Sequence, residues 1–292
     1  MVVRMVFQMI LLLGSINAFV HAASLAKGSC QEYCGNVSIP YPFGIGSQCY
    51  LDGWFAISCD NSSNYHKPFL RRFDLEVLHI SLSVGRVSVN FPVSRDCTKG
   101  TNTNKIVDLR KSPFLFSQTK NRFIAMGCNI FGSISPQNDS VIAGCMSFCE
   151  KKSKTSVRSC NGIECCQTTI PSDLDVFAAT IASVNIESRS TDDCKYAFLV
   201  DQRWFETNLT DPFEVQSMSH VPVVLEWGIN TTFLSLLMGN ISDDDASTYR
   251  CTNRSTSMGN LSLTTFTCKC KSGFEGNPYL PQRCTGKLLT VY

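Results

Sequence analysis

The sequence predicts a mainly β, disulfide-rich extracellular protein built from two small β-rich modules and a shorter third one. Three observations predict it. The chain has 16 cysteines in 292 residues, its β-branched or aromatic runs are short and separated by Gly, Pro, Asn and Ser, and helical periodicity is scarce. An even and high cysteine count in an exported chain is typical of a disulfide framework.

Residues 1–22 have the layout of a secretory signal peptide. Arg4 supplies a positive charge, residues 5–13 form an apolar run, and small residues allow cleavage after Ala22. The apolar run is too short to span a bilayer, and the best later segment, residues 221–229, is also too short. We therefore expect a secreted chain without a membrane span.

Eight runs have strand character. They are Val37–Ile39, Phe55–Ser58, Val77–Ser83, Arg86–Phe91, Phe114–Phe116, Phe123–Met126, Tyr196–Asp201 and Val221–Trp227. Residues 77–89 predict a β-hairpin that turns at Gly85. Residues 175–182 could form one helix, and residues 184–186 read equally well as strand.

Module boundaries are expected to follow the cysteines. The first module spans residues 30–97 and the second spans residues 98–229. Residues 230–250, which are polar and include three consecutive aspartates, read as a linker. A third module follows at residues 251–284, and residues 285–292 form a tail.

The Asn-x-Ser/Thr sequon recurs along the chain. It occurs at Asn36, Asn61, Asn138, Asn208, Asn230, Asn240, Asn253 and Asn260. Because a sequon is an acceptor for N-glycans only on an exposed surface of an exported protein, these positions predict a glycoprotein.

The charge is divided between the two halves of the mature chain. Residues 23–160 contain 16 Lys and Arg against 9 Asp and Glu, whereas residues 161–292 contain 9 against 15. The basic half is expected to prefer an anionic partner. The alternative is that the two halves attract each other. We expect no nucleic-acid partner.

The densest motif is Cys30-Gln-Glu-Tyr-Cys34-Gly-Asn-Val-Ser-Ile-Pro-Tyr41-Pro-Phe43-Gly-Ile-Gly46. Proline fixes its own φ and keeps its predecessor out of the α region. Tyr41 and Phe43 are therefore expected on a stiff extended strand, where they could stack on sugar rings. The alternative is that this segment fills a small core.

This motif, with Cys49 and Cys59, resembles the galacturonan-binding domain of plant wall-associated receptor kinases. Later segments resemble the middle region and the C-terminal domain of the same family: residues 125–129, 144–149, 160–167, 194–200 and 222–229. The resemblance implies binding of pectin, an acidic polysaccharide of the cell wall. It also implies an extracellular location, whereas members of the family are anchored in the plasma membrane.

Residues 268–284 are similar to the end of an EGF-like repeat of these receptors. The third module has four of the six cysteines of such a repeat, and the resemblance implies the pairs Cys251–Cys268 and Cys270–Cys284. A bridge between neighbouring cysteines is strained. Cys165 and Cys166 are therefore expected to have different partners.

Binding of a polyanion requires spaced basic side chains, among which arginine binds a carboxylate through two hydrogen bonds. The candidates in the basic half are Lys67, Arg71, Arg72, Arg86, Arg95, Lys99, Lys105, Arg110 and Lys111. Arg110 and Lys111 are adjacent, so in a strand they would face opposite ways.

No catalytic, metal or cofactor site is predicted. The chain lacks the glycine-rich loop, the His-Arg-Asp loop and the Asp-Phe-Gly motif of a kinase. No motif singles out two carboxylates as a glycosidase pair. The histidines beyond residue 22 lie away from the cysteine pairs, so a zinc site is not expected.

The sequence leaves two functions open. The first is noncatalytic pectin binding by a receptor-type ectodomain without its membrane anchor and kinase. The second is an extracellular module that recognises a protein or peptide, for example a membrane receptor kinase, with no sugar binding.

Overall fold

The computed structural model describes residues 24–62, 65–97, 102–135, 141–149, 160–184, 194–238, 248–258, 261–281 and 284–286. The expected signal peptide lies outside these residues. The described chain is mainly β, which confirms the fold class predicted from the sequence.

The chain forms short strands throughout. The first twelve are β1 (Tyr33–Cys34), β2 (Val37–Ser38), β3 (Gly44–Ile45), β4 (Ala56–Asp60), β5 (Lys67–Leu70), β6 (Leu75–Ser81), β7 (Arg86–Pro92), β8 (Ser94–Cys97), β9 (Val107–Asp108), β10 (Phe114–Phe116), β11 (Asn121–Met126) and β12 (Ile130–Ile134). The remaining strands are β13 (Ala143–Ser147), β14 (Asn161–Ile163), β15 (Cys165–Thr168), β16 (Val176–Phe177), β17 (Ala179–Ser183), β18 (Cys194–Asp201), β19 (His220–Trp227), β20 (Ile229–Asn230), β21 (Tyr249–Met258), β22 (Leu261–Cys270), β23 (Phe274–Gly276) and β24 (Cys284–Gly286). The helical elements are α1 (Gln202–Asn208), a 3-10 helix at Pro212–Ser217, and α2 (Thr231–Met238).

Among the described residues, seven strands form the largest sheet, in the order β10-β19-β7-β6-β5-β4-β3. Strands β6 and β7 are the expected hairpin, and Gly85 in its turn has a φ of 59°. This left-handed conformation is easy for glycine and costly for residues with a Cβ atom. Residues Val87, Val89 and Phe91 alternate into the core, whereas their neighbours face outward.

The sheet crosses the expected boundary at residue 97. Strand β19, from the second segment, pairs along its whole length with β7 from the first. Strand β8 pairs with β18, and Cys97 is bridged to Cys194 at the end of this pair. Residues 30–97 and 98–229 are therefore not independent folding units, because each supplies strands that the other needs.

Two further sheets cover the core. They have the orders β14-β15-β11-β18-β8 and β13-β12-β17. Residues 175–182 do not form the helix that the sequence allowed. They lie in β16, which pairs with β9, and in β17, which pairs with β12. Pairing with distant strands thus overrides the weak local preference for helix.

All 16 cysteines lie in the described residues and are paired. The bridges are Cys30–Cys49, Cys34–Cys59, Cys97–Cys194, Cys128–Cys149, Cys145–Cys166, Cys160–Cys165, Cys251–Cys268 and Cys270–Cys284. The last two are the pairs that the resemblance implied. Cys165 and Cys166 have different partners, as their adjacency requires.

Tyr41 and Phe43 do not lie on an exposed strand. The Phe43 amide donates to the Pro40 carbonyl at 2.9 Å, so residues 40–43 form a turn. Both side chains are buried, with 6% and 1% of their surface exposed. The ring of Phe43 contacts Phe55 and Trp227, at centroid distances of 5.1 and 5.3 Å. This burial favours the alternative that the segment fills a core over the stacking of these two rings on sugar.

The C-terminal module, residues 249–286, is anchored in the N-terminal segment. The Asn277 side-chain amide donates to the carbonyls of Leu25 and Tyr41 at 2.7 and 2.6 Å. Tyr279 is 1% exposed and its ring lies 5.7 Å from Trp227. Its hydroxyl accepts from the Cys268 amide at 2.7 Å. We call Asn277 and Tyr279 the plug, because their side chains connect the C-terminal module to the N-terminal segment and to Trp227. Through the plug, the module becomes part of the main core.

Part of the expected linker is also structured. Residues 231–238 form α2, in which Phe233, Leu234 and Leu237 are half-buried against the core. The Asn230 side-chain oxygen accepts from the Phe233 amide at 2.9 Å and caps the start of the helix. Residues 239–247 lie outside the described part of the chain.

Candidate functional site

Three turns enclose an open cleft of about 670 Å³. Trp54 precedes β4, Arg72 and Phe73 lie in the turn between β5 and β6, and the third turn lies between β9 and β10. The cleft is lined by Trp54, Arg72, Phe73, Asp108, Arg110 and Lys111. Three of these residues were sequence candidates for ligand contact.

Trp54 and Phe73 form the aromatic floor of this cleft. Their rings are stacked, with 5.7 Å between centroids and 18° between planes. Phe73 also meets Phe114 edge-on at 5.9 Å, which connects the floor to the core. The Asp52 carboxylate accepts from the Trp54 amide at 2.7 Å and fixes the turn that carries the indole. Phe73 is therefore held by the core and Trp54 by the turn at Asp52.

Arg72 lies over the Trp54 ring, with its guanidinium carbon 4.2 Å from the ring centroid. This is a cation–π contact, which fixes the plane of the guanidinium and leaves its N–H edges for a ligand. Gly53 allows the close approach, since a Cβ there would lie 3.0 Å from an Arg72 Nη atom. The cleft thus presents an arginine that is positioned before any ligand arrives.

Arg110 is positioned by a carboxylate. Its Nε atom donates to both oxygens of Asp108, at 2.9 and 3.0 Å. The hydrogen bonds from the Arg110 side chain hold the pKa of Asp108 below its usual range, and those to Asp108 raise the pKa of Arg110. Both groups are charged at neutral pH. Burial raises the pKa of nearby Asp175, and the positive charge of Arg110 partly opposes this rise.

Lys111 completes the cationic lining. It is exposed and has a φ of 63°, in the left-handed region. Arg110 and Lys111 therefore lie in a turn and not in a strand, and both reach the cleft. The lining carries three cations against the single carboxylate of Asp108. Such a cleft can accept carboxylates at its cations and the apolar face of a ring beside its aromatic floor.

The other basic candidates are dispersed. Lys67 pairs with Glu76 at 3.0 Å on the outer face of the sheet. Arg95 donates to the Met218 carbonyl, and its guanidinium carbon lies 5.7 Å from the centroid of the Tyr196 ring. Both contacts are with other parts of the chain. Arg71 and Lys105 are exposed outside the cleft. Arg86 lies in another groove, and Lys99 lies outside the described residues.

Sequence reasoning missed Trp54 and Phe73. Neither belongs to the conspicuous motif at residues 30–46, and aromatic residues next to a buried strand resemble ordinary core. The adjacent arginine, Arg72, was noted only for its charge. The signal that could have found the site is the Arg-Arg-Phe sequence at residues 71–73, in a turn that faces a tryptophan, but the pairing of the two turns is visible only in the fold.

The sequons differ in their surroundings. Asn36, Asn61, Asn208 and Asn253 are exposed, and Asn230 is half-buried at the start of α2. Asn138, Asn240 and Asn260 lie outside the described residues. None of the described sequon asparagines lines the cleft.

Two family models match the chain. The one described as wall-associated receptor kinase galacturonan-binding covers residues 30–90, and the one described as wall-associated kinase covers residues 157–236. Trp54, Arg72 and Phe73 lie in the first of these ranges. No solved structure gave a significant match.

Several curated proteins of Arabidopsis thaliana are similar to the chain. Wall-associated receptor kinase-like 10 is 33% identical over 88% of this chain and 38% of its own length. Wall-associated receptor kinase-like 5 is 35% identical with the same coverage. Wall-associated receptor kinase-like 1 is 36% identical over 73% of this chain and 32% of its own length. The chain thus spans less than half of these relatives.

The fold and the cleft define a disulfide-rich, mainly β protein with a cationic, aromatic cleft. The chain belongs to the wall-associated receptor kinase family, matching its galacturonan-binding and wall-associated-kinase domains. The family is one of the cell wall and the extracellular side of the membrane. In the described residues, no helix is long and apolar enough to cross a membrane.

Proposed function

We propose that the chain is a secreted, noncatalytic binder of pectin that holds the carboxylates of polygalacturonate in the cleft at Trp54. The stack of Arg72 on Trp54, beside Arg110 and Lys111, carries this proposal. Galacturonan has one carboxylate per sugar, and arginine binds a carboxylate through two parallel hydrogen bonds. The family description of residues 30–90 supports the same ligand.

The proposal extends to the surroundings of the site. The exposed sequon asparagines that line neither groove of the structure, Asn36, Asn61 and Asn208, would carry glycans. The C-terminal module would be a partial EGF-like repeat, which its two disulfides support. The wall polysaccharide would be the main partner, and a membrane receptor kinase a second one.

Arg72→Gln and Trp54→Ala are each expected to weaken binding of oligogalacturonides about tenfold, which corresponds to about 1.4 kcal/mol. The first removes the charge, and the second removes the ring that positions it. Arg72→Lys is expected to recover only part of the affinity, because an ammonium lacks the planar fork of donors. Isothermal titration calorimetry of the full chain measures these affinities.

The matched control is Arg203→Gln, which removes an exposed arginine that lines neither groove of the structure. Wild-type affinity in Arg72→Gln and Trp54→Ala would refute the cleft. Isolated halves of the chain are unsuitable for this test, because residues 23–160 would lack β18 and β19, with which β8 and β7 pair.

Asp108→Asn and Arg110→Gln are expected to change affinity in opposite directions. Asp108→Asn removes the carboxylate that repels the ligand, so binding should tighten several-fold and weaken more steeply with added salt. Arg110→Gln should weaken binding and flatten the dependence on salt. Titrations at low and high sodium chloride compare the slopes. Equal losses of affinity in both variants would instead mean that the ligand requires the intact Asp108–Arg110 ion pair.

Recognition of an extracellular protein is the second candidate function. Met146, Phe148 and Ile163 are exposed by 41%, 50% and 38%. They lie close together, since the Phe148 amide donates to the Gly162 carbonyl at 2.8 Å. An exposed apolar patch of this kind is typical of a protein contact. Phe148→Ser should leave oligogalacturonide binding unchanged, so this surface can be tested separately.

A further inference from the structure

A second groove, of about 260 Å³, lies where the C-terminal module meets the seven-stranded sheet. One wall is the turn of the β6–β7 hairpin at residues 83–86, together with the end of β19. The other wall is the hairpin of β21 and β22. Gly85 fits against this hairpin, since a Cβ there would lie 2.7 Å from the Thr267 side chain. The groove therefore exists only when the C-terminal module is docked.

The groove contains more positive than negative charge. Arg86, Arg254 and Lys269 line it, and Glu226 is the one carboxylate of its lining. The oxygens of Glu226 already accept from Ser117 Oγ, at 2.6 Å, and from Arg254. Arg254 has a further partner in Asp173 at 3.2 Å, outside the groove. Each oxygen of Glu226 thus already accepts from a group other than Arg86 and Lys269.

Arg86 is incompletely paired. Its contact with Glu226 is long, at 3.7 Å. Its Nε atom is buried and has no hydrogen-bond partner in the described part of the chain. A buried donor costs free energy unless a water, an ion or a ligand accepts from it. The Arg86 side chain as a whole remains 30% exposed and lines the groove.

The rest of the lining suits a hydroxylated ring. Thr252, Thr265 and Thr267 contribute hydroxyl groups, and Val84 and Leu115 contribute apolar surface. Sugar rings present both hydroxyl groups and apolar C–H faces. The volume is close to the lower end of small-ligand sites, about 300 Å³, so it admits one sugar unit and not an extended chain.

We propose that this second groove binds a single anionic sugar unit, whose carboxylate or phosphate accepts hydrogen bonds from Arg86 and Lys269. Arg86 belongs to the sheet and Lys269 to the C-terminal module. The ligand would therefore connect the two and stabilise the docked arrangement. This site is separate from the cleft at Trp54 and does not depend on the function proposed for it.

The test is a calorimetric and NMR titration of the full chain with galacturonate, glucose 6-phosphate and glucose. We expect galacturonate, glucose 6-phosphate or both to bind and to shift the Arg86 Nε–H resonance. Glucose is expected neither to bind nor to shift this resonance. Binding of galacturonate alone would identify a carboxylate site, and binding of glucose 6-phosphate alone a phosphate site. Absence of binding by both anions, or equal binding of glucose, would overturn the proposal.

Substitutions at Lys269 and Arg86 assign the site. Lys269→Gln changes an exposed residue and should fold normally, and it should weaken binding of the anionic sugar at least fivefold. Arg86→Gln should weaken it further, with Arg86→Lys as a variant that keeps the charge. Arg203→Gln, at a position that lines neither groove, should retain wild-type affinity for the monosaccharide. Loss of binding in Trp54→Ala with full binding in Lys269→Gln would place the ligand in the other cleft and overturn the proposal.

Discussion

Phe43→Ala is expected to lower the free energy of unfolding by about 3–5 kcal/mol, the usual cost of removing a buried phenylalanine ring. Phe43 is 1% exposed and contacts Phe55, Trp227 and Phe114, with centroids 5.1, 5.3 and 6.2 Å away. The cavity would open where the N-terminal turn meets β4, β10 and β19. Denaturant unfolding with the disulfides intact measures the loss.

The result distinguishes a core residue from a ligand contact. Tyr33→Ala is the matched control, since Tyr33 is 56% exposed and its loss should change stability by no more than about 0.5 kcal/mol. Phe43→Leu should cost less than Phe43→Ala because it fills part of the cavity. A Phe43→Ala variant with wild-type stability and lost oligogalacturonide binding would restore the sugar-stacking role that burial argues against.

Replacing Cys97 and Cys194 together by alanine is expected to cost about 2–5 kcal/mol. This bridge spans 97 residues of sequence and joins β8 to the start of β18. A crosslink restricts the unfolded chain more when the closed loop is longer. The same unfolding experiment, performed without reductant, measures the effect.

The matched comparison is the double replacement of Cys160 and Cys165, whose bridge closes a separation of only 5 residues. The chain-entropy relation gives about 2 kcal/mol for so short a loop, roughly half of the value for the long one. Equal costs for the two pairs would contradict the entropic account and point to lost packing at the buried sulfurs.

Local patterns in the sequence predicted local structure well. Alternation in residues 77–89 and the glycine at position 85 were sufficient for the β6–β7 hairpin, because both signals act within one turn. Residues 175–182 had no comparable local signal. Their strands depend on β9 and β12, whose paired residues lie 45 to 70 positions earlier in the chain.

The candidate site was predictable only in part. Arg72, Arg110 and Lys111 could be named from composition, but three separate turns assemble the cleft. Charge alone did not separate these residues from Lys67 and Arg95, which bind other parts of the chain. The expected module boundary at residue 97 was drawn from cysteine spacing, which does not reveal that β19 returns to pair with β7.

The plug of Asn277 and Tyr279 has a mechanical consequence. A tensile force applied at Gly286 passes first to β24 and to Cys284, which is bridged to Cys270. From there it reaches the Asn277 amide and the Tyr279 ring, and through them Tyr41, Leu25 and Trp227. The cleft at Trp54 and the C-terminal end of the described chain therefore contact the same core, and we expect that core to carry a tension applied between them.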